Sequence, residues 1–220
     1  MSNHSFLKQL KYIEENCPLT KSTTAKKEVR HTFFKEIKTE IQAYLLGLLM
    51  SDGSVNTDNQ IKLHINEKDK ELFEYLKVIS PNAGVYTMKG YESKAKVRGR
   101  AVKNKGSIAL FLNSKTMCED LAKYGIVQNK TYKQLSLPKI SDELIRHFIR
   151  GYFDGDGCFT TCLRKPNPKH RMVNYGIRAS FNICGKLDNI FVEMQKWFAD
   201  KGIKTGIFYE KRDDMYRIHT

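Results

Sequence analysis

Two stretches of this chain are near-copies of one another. Tyr44 to Gly53 reads YLLGLLMSDG, Phe148 to Gly157 reads FIRGYFDGDG, and Asp52 is answered by Asp156, 104 positions further on (156 minus 52). A pattern that returns after nearly half the chain asks for two related half-domains before composition is considered at all. On a 3.6-residue helix Leu45, Leu48, Leu49 and Asp52 share one stripe, as do Ile149, Tyr152, Phe153 and Asp156 in the copy. Each apolar stripe thus ends in a carboxylate. Gly53 and Gly157 follow at once and read as the left-handed residues that commonly stop a helix.

An acid at a helix C-terminus faces the negative end of the macrodipole, which costs about 0.3 to 1 kcal/mol. The same cost in both halves predicts a compensating cation. A second stripe carries small residues at i, i+4: Gly47 and Ser51 in the first copy, Gly151 and Gly155 in the second. Small residues at that spacing let two helix backbones approach closely. Packing at these residues would make Asp52 and Asp156 neighbours, and two neighbouring carboxylates suit a hard divalent metal with oxygen ligands, Mg2+ being the usual choice beside phosphates.

The chain carries a formal net charge of +14, which points to a polyanionic partner, and its 40% hydrophobic content is enough for a real core. No apolar run approaches the roughly 20 residues of a membrane span. The N-terminal MSNHSFLKQL lacks the apolar core of a signal peptide. Five cysteines (17, 118, 158, 162, 184) with no CxxC pair fit free thiols in a reducing compartment.

In chain order, residues 1–35 are polar and lysine-rich around one short amphipathic run (Phe6, Leu7, Leu10, Ile13) and read as a loosely attached basic arm. Thr39 and Gln42 make a capping-box pattern at the start of the first motif helix; Ser141, Asp142 and Glu143 do the same for the second. Gln60–Asn66 and Arg178–Cys184 alternate as strands. Helices follow over Leu72–Ile79 and Leu187–Phe198, then strands at Gly84–Tyr86, Ile108–Leu112, Gly206–Phe208 and Tyr216–Ile218. Met117–Tyr124 closes the first half with a helix stopped by Gly125. The offset between halves grows by fourteen residues across Lys165–Arg171 (118 minus 104), and the first half carries its own insertion, a cationic loop over Lys89–Lys105.

The two motifs, LLGLLMSDG and IRGYFDGDG, resemble those of the LAGLIDADG homing endonucleases in their single-chain, two-motif form. That resemblance implies an α+β fold: a pseudo-twofold pair of αββαββα half-domains, with two antiparallel saddle-shaped sheets on the DNA and the motif helices packed centrally. The half-domains would span 36–138 and 139–220, the second C-terminally incomplete, since nothing after Thr220 matches Met117–Tyr124. It also implies that Asp52 and Asp156, at the eighth motif position, are metal-binding catalytic acids. Lys130 corresponds to a basic residue near the active sites, and Glu67 to a polar, water-positioning one. Gly185 stands at the place equivalent to Glu67, so the two sites should be unequal. Asp154 departs from the motif and is read instead as an i, i+4 partner of Arg150.

The expected activity is site-specific cleavage of one phosphodiester in each strand, with Mg2+ (Mn2+ as a substitute), leaving short 3′ overhangs. The expected partner of this monomer is double-stranded DNA with a long asymmetric target. Candidate DNA contacts are Lys62, His64, Lys89, Lys94, Lys96, Arg98, Arg100, Lys103, Arg164, Arg178, Lys211, Arg212 and Arg217. Antiparallel ribbons bearing cations can enter a major groove and hold phosphates beside the base edges they read. Two alternatives stay open: a maturase acting on intron RNA, and a DNA-binding regulator of the same fold that does not cleave. The compartment would be cytoplasm or nucleoid, or an organelle matrix.

Overall fold

The computed structural model describes residues 3–21, 28–69, 72–97, 100–104, 106–164, 176–186, 189–211 and 214–220. In chain order the elements are α1 (Asn3–Asn16), β1 (Thr20–Lys21), β2 (Glu28–Val29), α2 (Glu40–Ser51), β3 (Gly53–Val55), β4 (Gln60–Asn66), α3 (Leu72–Leu76), β5 (Gly84–Met88), β6 (Tyr91–Val97), β7 (Arg100–Asn104) and β8 (Ser107–Asn113). Then come α4 (Lys115–Ala122), α5 (Asp142–Asp156), β9 (Gly157–Arg164), β10 (Gly176–Gly185), α6 (Asn189–Asp200), β11 (Gly206–Glu210) and β12 (Met215–His219). The fold is α+β with antiparallel sheets. By contact the chain forms two compact units, residues 1–133 with 138–155, and residues 134–137 with 156–220. All but the last residue of the second motif helix therefore belongs to the first unit.

In the first unit Thr39 opens α2. Its hydroxyl accepts from Gln42 N at 3.2 Å, and Gln42 Oε1 accepts from Thr39 N at 3.1 Å, completing the expected capping box. Gln42 Nε2 also donates to Phe33 O at 2.7 Å, fixing the chain that enters the helix. From Ile41 to Met50 every residue of α2 is buried, so this is a core helix rather than a surface helix with one apolar stripe. The loosely attached arm is corrected for its described part. Ile13 of α1 is fully buried, and Gln9 Oε1 accepts from Ile41 N, the start of α2, at 3.1 Å. The amphipathic run, not the lysines around it, decides where this segment goes, since burying one large aliphatic side chain is worth about 1.5–3 kcal/mol.

Helix α5 lies against α2 at its glycines. A Cβ on Gly47 would run into Phe148 O and come within 2.8 Å of Tyr152 N; one on Gly151 would run into Tyr44 O and reach 2.9 Å from its carbonyl carbon. The small-residue stripes are thus the seam predicted from sequence. The reading of Arg150 and Asp154 as mutual partners is corrected: both turn to Tyr44. Its hydroxyl donates to Asp154 Oδ2 at 2.8 Å while the Arg150 guanidinium sits 4.7 Å from the ring centre.

The sheet of the first unit runs β3-β4-β8-β5, and that of the second β11-β12-β10-β9. Each therefore has its first strand beside its second, its second beside its fourth and its fourth beside its third, the topological form of the sequence repeat. In β4 Ile61, Leu63 and Ile65 point into the core while Lys62 and His64 point out. In the second unit Ile183 and Ile218 pair across β10 and β12 over the inward side of α6, where Ile190, Phe191 and Met194 are buried.

Two further expectations change. Gly53 and Gly157 do not take positive φ; among the described glycines Gly125 (φ 85°) and Gly202 (φ 75°) do. Gly53 is needed for space, because a Cβ there would lie 2.5 Å from Leu49 O. The described residues of the Lys89–Lys105 segment form an antiparallel ribbon rather than a loop, with β6 on β7 pairing Glu92 with Lys103 and Val97 with Arg100. The insertion expected at Lys165–Arg171 lies outside the described residues, between long β9 and β10. All five cysteines are free, Cys17 and Cys118 buried, Cys158 and Cys162 exposed.

Candidate active site and nucleic-acid interface

Asp52 caps the C-terminus of α2 with a helical backbone (φ −93°, ψ −11°), and its N–H donates to Leu48 O at 3.0 Å. The side chain therefore leaves the helix at its negative end, as the sequence pattern required. The compensating cation is Lys130, which enters a short 3-10 turn (Lys130–Tyr132) after Asn129 adopts the left-handed conformation (φ 56°). Lys130 Nζ donates to Ser51 O at 2.9 Å and to Gly53 O, the carbonyls on either side of Asp52. Ser51 O, one of the carbonyls that the helix end leaves without a partner, is thereby satisfied by an ammonium that also holds the first carbonyl of β3. Asp52 is exposed to solvent, yet protein atoms crowd its carboxyl enough that desolvation raises its pKa, and the Lys130 charge partly lowers it again.

Two residues that the sequence separated by 78 positions (130 minus 52) are thus brought together. Gly155 completes the level: a Cβ there would run into Ser51 Oγ and lie 3.0 Å from Asp52 Oδ2. Asp156 is the next residue, the last of α5. Glu67 is not part of this cluster. It is exposed in the 3-10 turn after β4, four residues beyond the Leu63–Gly53 pair, which is roughly 13 Å of extended strand.

A divalent metal can be tested against these donors. Among the described residues no group of three or more His, Cys, Asp or Glu side chains is placed to hold a metal. Mg2+ is commonly held by one or two carboxylates and keeps water and substrate phosphate oxygens as its other ligands. A carboxyl whose charged form is disfavoured by desolvation is a group that a cation stabilises.

The outward face of the first sheet carries more than the two residues expected. Lys62 stands across from Phe111 with its ammonium 5.1 Å from the ring centre, and His64 and Tyr86 meet the same ring edge-on at 6.1 and 5.3 Å. Gln60 Nε2 donates to Asn113 Oδ1 at 3.1 Å. Cation, amides and aromatic surface on one pleated face can hold phosphate, read base edges and touch thymine methyls. On the second sheet Arg217 pairs in register with Cys184 and Phe208, Phe208 stacks on His219 at 4.1 Å, and Thr160 and Ser180 hydroxyls meet at 2.8 Å. Lys89 and Lys211 are exposed. Lys94, Lys96, Arg100 and Lys103 belong to the ribbon strands, and Arg164 and Arg178 to β9 and β10. Arg98 and Arg212 lie outside the described residues. Charge alone does not mark Gln60, Phe111, Asn113, Tyr86, Phe208 or His219 in the sequence; period-two alternation, extended to every strand, does.

Among the described residues no helix is long and apolar enough to cross a membrane. The sequence matches no family model and no curated protein. Solved structures do resemble it. The LAGLIDADG meganuclease I-CpaMI, bound to uncleaved DNA, is 12% identical over 81% of this chain and 78% of its own, with a TM-score of 0.52. A mutant of the meganuclease I-SmaMI is 14% identical over 81% and 77%, with a TM-score of 0.50. Full-length DUF199/WhiA from Thermatoga maritima is 15% identical over 86% of this chain at a TM-score of 0.48, and the chain spans about half (54%) of that protein's length. At these identities the likeness is one of architecture: this chain has the fold of the LAGLIDADG meganucleases.

Proposed function

We propose that this protein is a LAGLIDADG-type homing endonuclease that cuts one phosphodiester in each strand of a long, asymmetric double-stranded DNA target, as a monomer, and leaves short 3′ overhangs. The observation that carries the reading is the Asp52–Lys130 cluster at the end of α2, beside the glycine that precedes Asp156. A protein that only bound DNA would have no need of a solvent-reaching carboxylate at the unfavourable end of a buried helix.

Asp52 and Asp156 are the proposed metal ligands. Mg2+, or Mn2+ in its place, would supply an activated water and polarise the scissile phosphate. Asp52 offers its carboxylate oxygens to the cation. Lys130 keeps the two carbonyls around Asp52 directed away from an incoming phosphate and adds positive charge where the transition state gains negative charge. Cleavage adds water across the P–O bond: its oxygen joins phosphorus, the 3′ oxygen leaves and takes a proton. Glu67 is a water-orienting group only if the bound duplex brings the reaction to the end of β4.

The outward sheet faces and the β6–β7 ribbon are the proposed DNA contacts. The test is selection of cleaved molecules from a randomised duplex library with Mg2+, followed by sequencing of the ends. A single asymmetric target with 3′ overhangs supports the reading. Recovery of a bound but uncut target would favour a non-cleaving regulator, and selective retention of a structured RNA would favour a maturase.

A further inference from the structure

We propose that a groove on the outer side of α6 is a docking site for an acidic amphipathic helix of a partner protein. The inner side of α6 is spent on the sheet, with Ile190, Phe191, Met194 and Phe198 buried. Its outer side presents a second stripe at i, i+3, i+4 and i+7: Val192, Gln195, Lys196 and Ala199. The chain then doubles back along that stripe. Gly202, at φ 75°, donates its N–H to Ala199 O at 2.9 Å, and Ile203 N donates to Phe198 O at 2.9 Å. Gln195 Nε2 donates to Thr205 O at 3.2 Å and pins the returning chain to the helix. Between helix and return lies a groove of about 500 Å³.

Its floor is apolar and open to solvent: Val192 is 54% exposed and Ile203 42%. Its rim is cationic, with Lys196 and Lys204 both exposed. A preformed apolar trough is the receiving half of helix-in-groove recognition, in which an amphipathic helix lays its apolar face into the groove, and lysines along the rim select an acidic flank. A second copy of this chain is a poor occupant, because two bodies of net charge +14 repel. A nucleic acid is a poor occupant because phosphates would leave Val192, Ala199 and Ile203 without a partner. The groove is on the helix side of the second sheet, opposite its outward face, so a bound helix and the proposed DNA contacts of that sheet do not compete.

The experiment uses the full chain and a fluorescein-labelled probe helix of about 14 residues, four turns, with leucine at i, i+3, i+4 and i+7 and glutamate elsewhere. A peptide of the same composition in scrambled order is the control. Fluorescence anisotropy should give at least about tenfold tighter binding of the patterned peptide. Ile203→Ser and Val192→Ser should each weaken that binding several-fold with circular dichroism unchanged, and Lys196→Gln with Lys204→Gln should make it less salt-dependent. Equal affinity for both peptides, or no binding of either, overturns the proposal. So does a weakening confined to the lysine variants while Ile203→Ser binds as before, which would assign the surface to polyanions such as nucleic acid.

Discussion

Lys130 Nζ donates to the carbonyl oxygen of Ser51 at 2.9 Å, the carbonyl immediately before Asp52. The contact links a helix end that repels an acid to the cation that makes the acid tolerable. Lys130→Met should therefore destabilise the protein by about 1–2 kcal/mol, the scale of a partly buried cation at a helix C-terminus. It should also raise the Asp52 pKa further, because burial already raises it and only the lysine charge opposes that. A carboxyl whose folded pKa lies above its unfolded value loses stability as pH rises between the two, so the deficit of the variant should grow with pH across that window. Urea melts from pH 4 to pH 7 read both effects; a deficit independent of pH would separate Lys130 from Asp52.

The helix seam gives a steric prediction. Gly47→Ala and Gly151→Ala each place a methyl against a backbone carbonyl of the facing helix, Phe148 O and Tyr44 O. Backbone cannot rotate aside as a side chain can, so each substitution should cost about 3 kcal/mol or more, the upper end for overpacking. Gly202→Ala is the contrast: nothing lies within 4 Å of its Cβ position, and only the left-handed φ of 75° is disturbed, for about 1 kcal/mol. Urea midpoints that ranked Gly202 as the costliest of the three would contradict the seam.

His147 supplies a pH dependence. It is buried on α5, accepts from Arg146 Nε at 2.9 Å and stands 3.7 Å from Glu40 of α2. Desolvation lowers its pKa; Glu40 raises it, and Arg150 and Arg146 lower it. Because the folded value lies below the unfolded one, the unfolded chain binds the extra proton. Stability is complete above the ordinary imidazole value and falls as pH drops below about 6.5, by at most about 1.4 kcal/mol per unit for this one proton. His147→Gln should flatten that slope in urea melts at pH 5 to 7. An unchanged slope would place the titration elsewhere.

Much of this was legible in the residues. Thr39 and Gln42, Gly47 and Gly151, and the alternation of Gln60–Asn66 all state local rules that tertiary packing then obeys. The need for a cation near Asp52 was legible as well. What sequence could not supply was contact between chain segments with no shared period. Tyr44 recruits both Arg150 and Asp154 across the helix seam, and α1 enters the core through Ile13 and Gln9, because the apolar positions outweigh a lysine-rich composition. The cations of Lys89–Lys105 concealed a ribbon, since charge density says nothing about backbone pairing.

The outward face of the first sheet predicts a division of labour. Lys62→Met should weaken binding to every duplex and reduce the log-log salt slope by about 0.9, the value of one phosphate that is no longer neutralised. Neutralising Lys94 and Lys96 on the ribbon should reduce it by the same amount for each phosphate they hold. Gln60→Ala should leave the slope alone and relax selectivity at one base pair, by about 1–3 kcal/mol. Titrations against the selected target and a single-base variant at several salt concentrations distinguish the two classes; a changed slope for Gln60→Ala would undo the assignment.

The central claim, that Asp52 and Asp156 are catalytic acids served unequally, meets its most direct test in single-turnover cleavage of the selected duplex, labelled separately on each strand, at saturating enzyme and Mg2+. The proposal predicts that Asp52→Asn and Asp156→Asn each abolish double-strand cleavage while binding stays within about tenfold, 1.4 kcal/mol. It predicts that the unsubstituted protein accumulates nicked DNA before linear product, and that Lys130→Met slows one strand far more than the other. A double Asp52→Asn, Asp156→Asn variant that cuts both strands at the rate of the unsubstituted protein would contradict it.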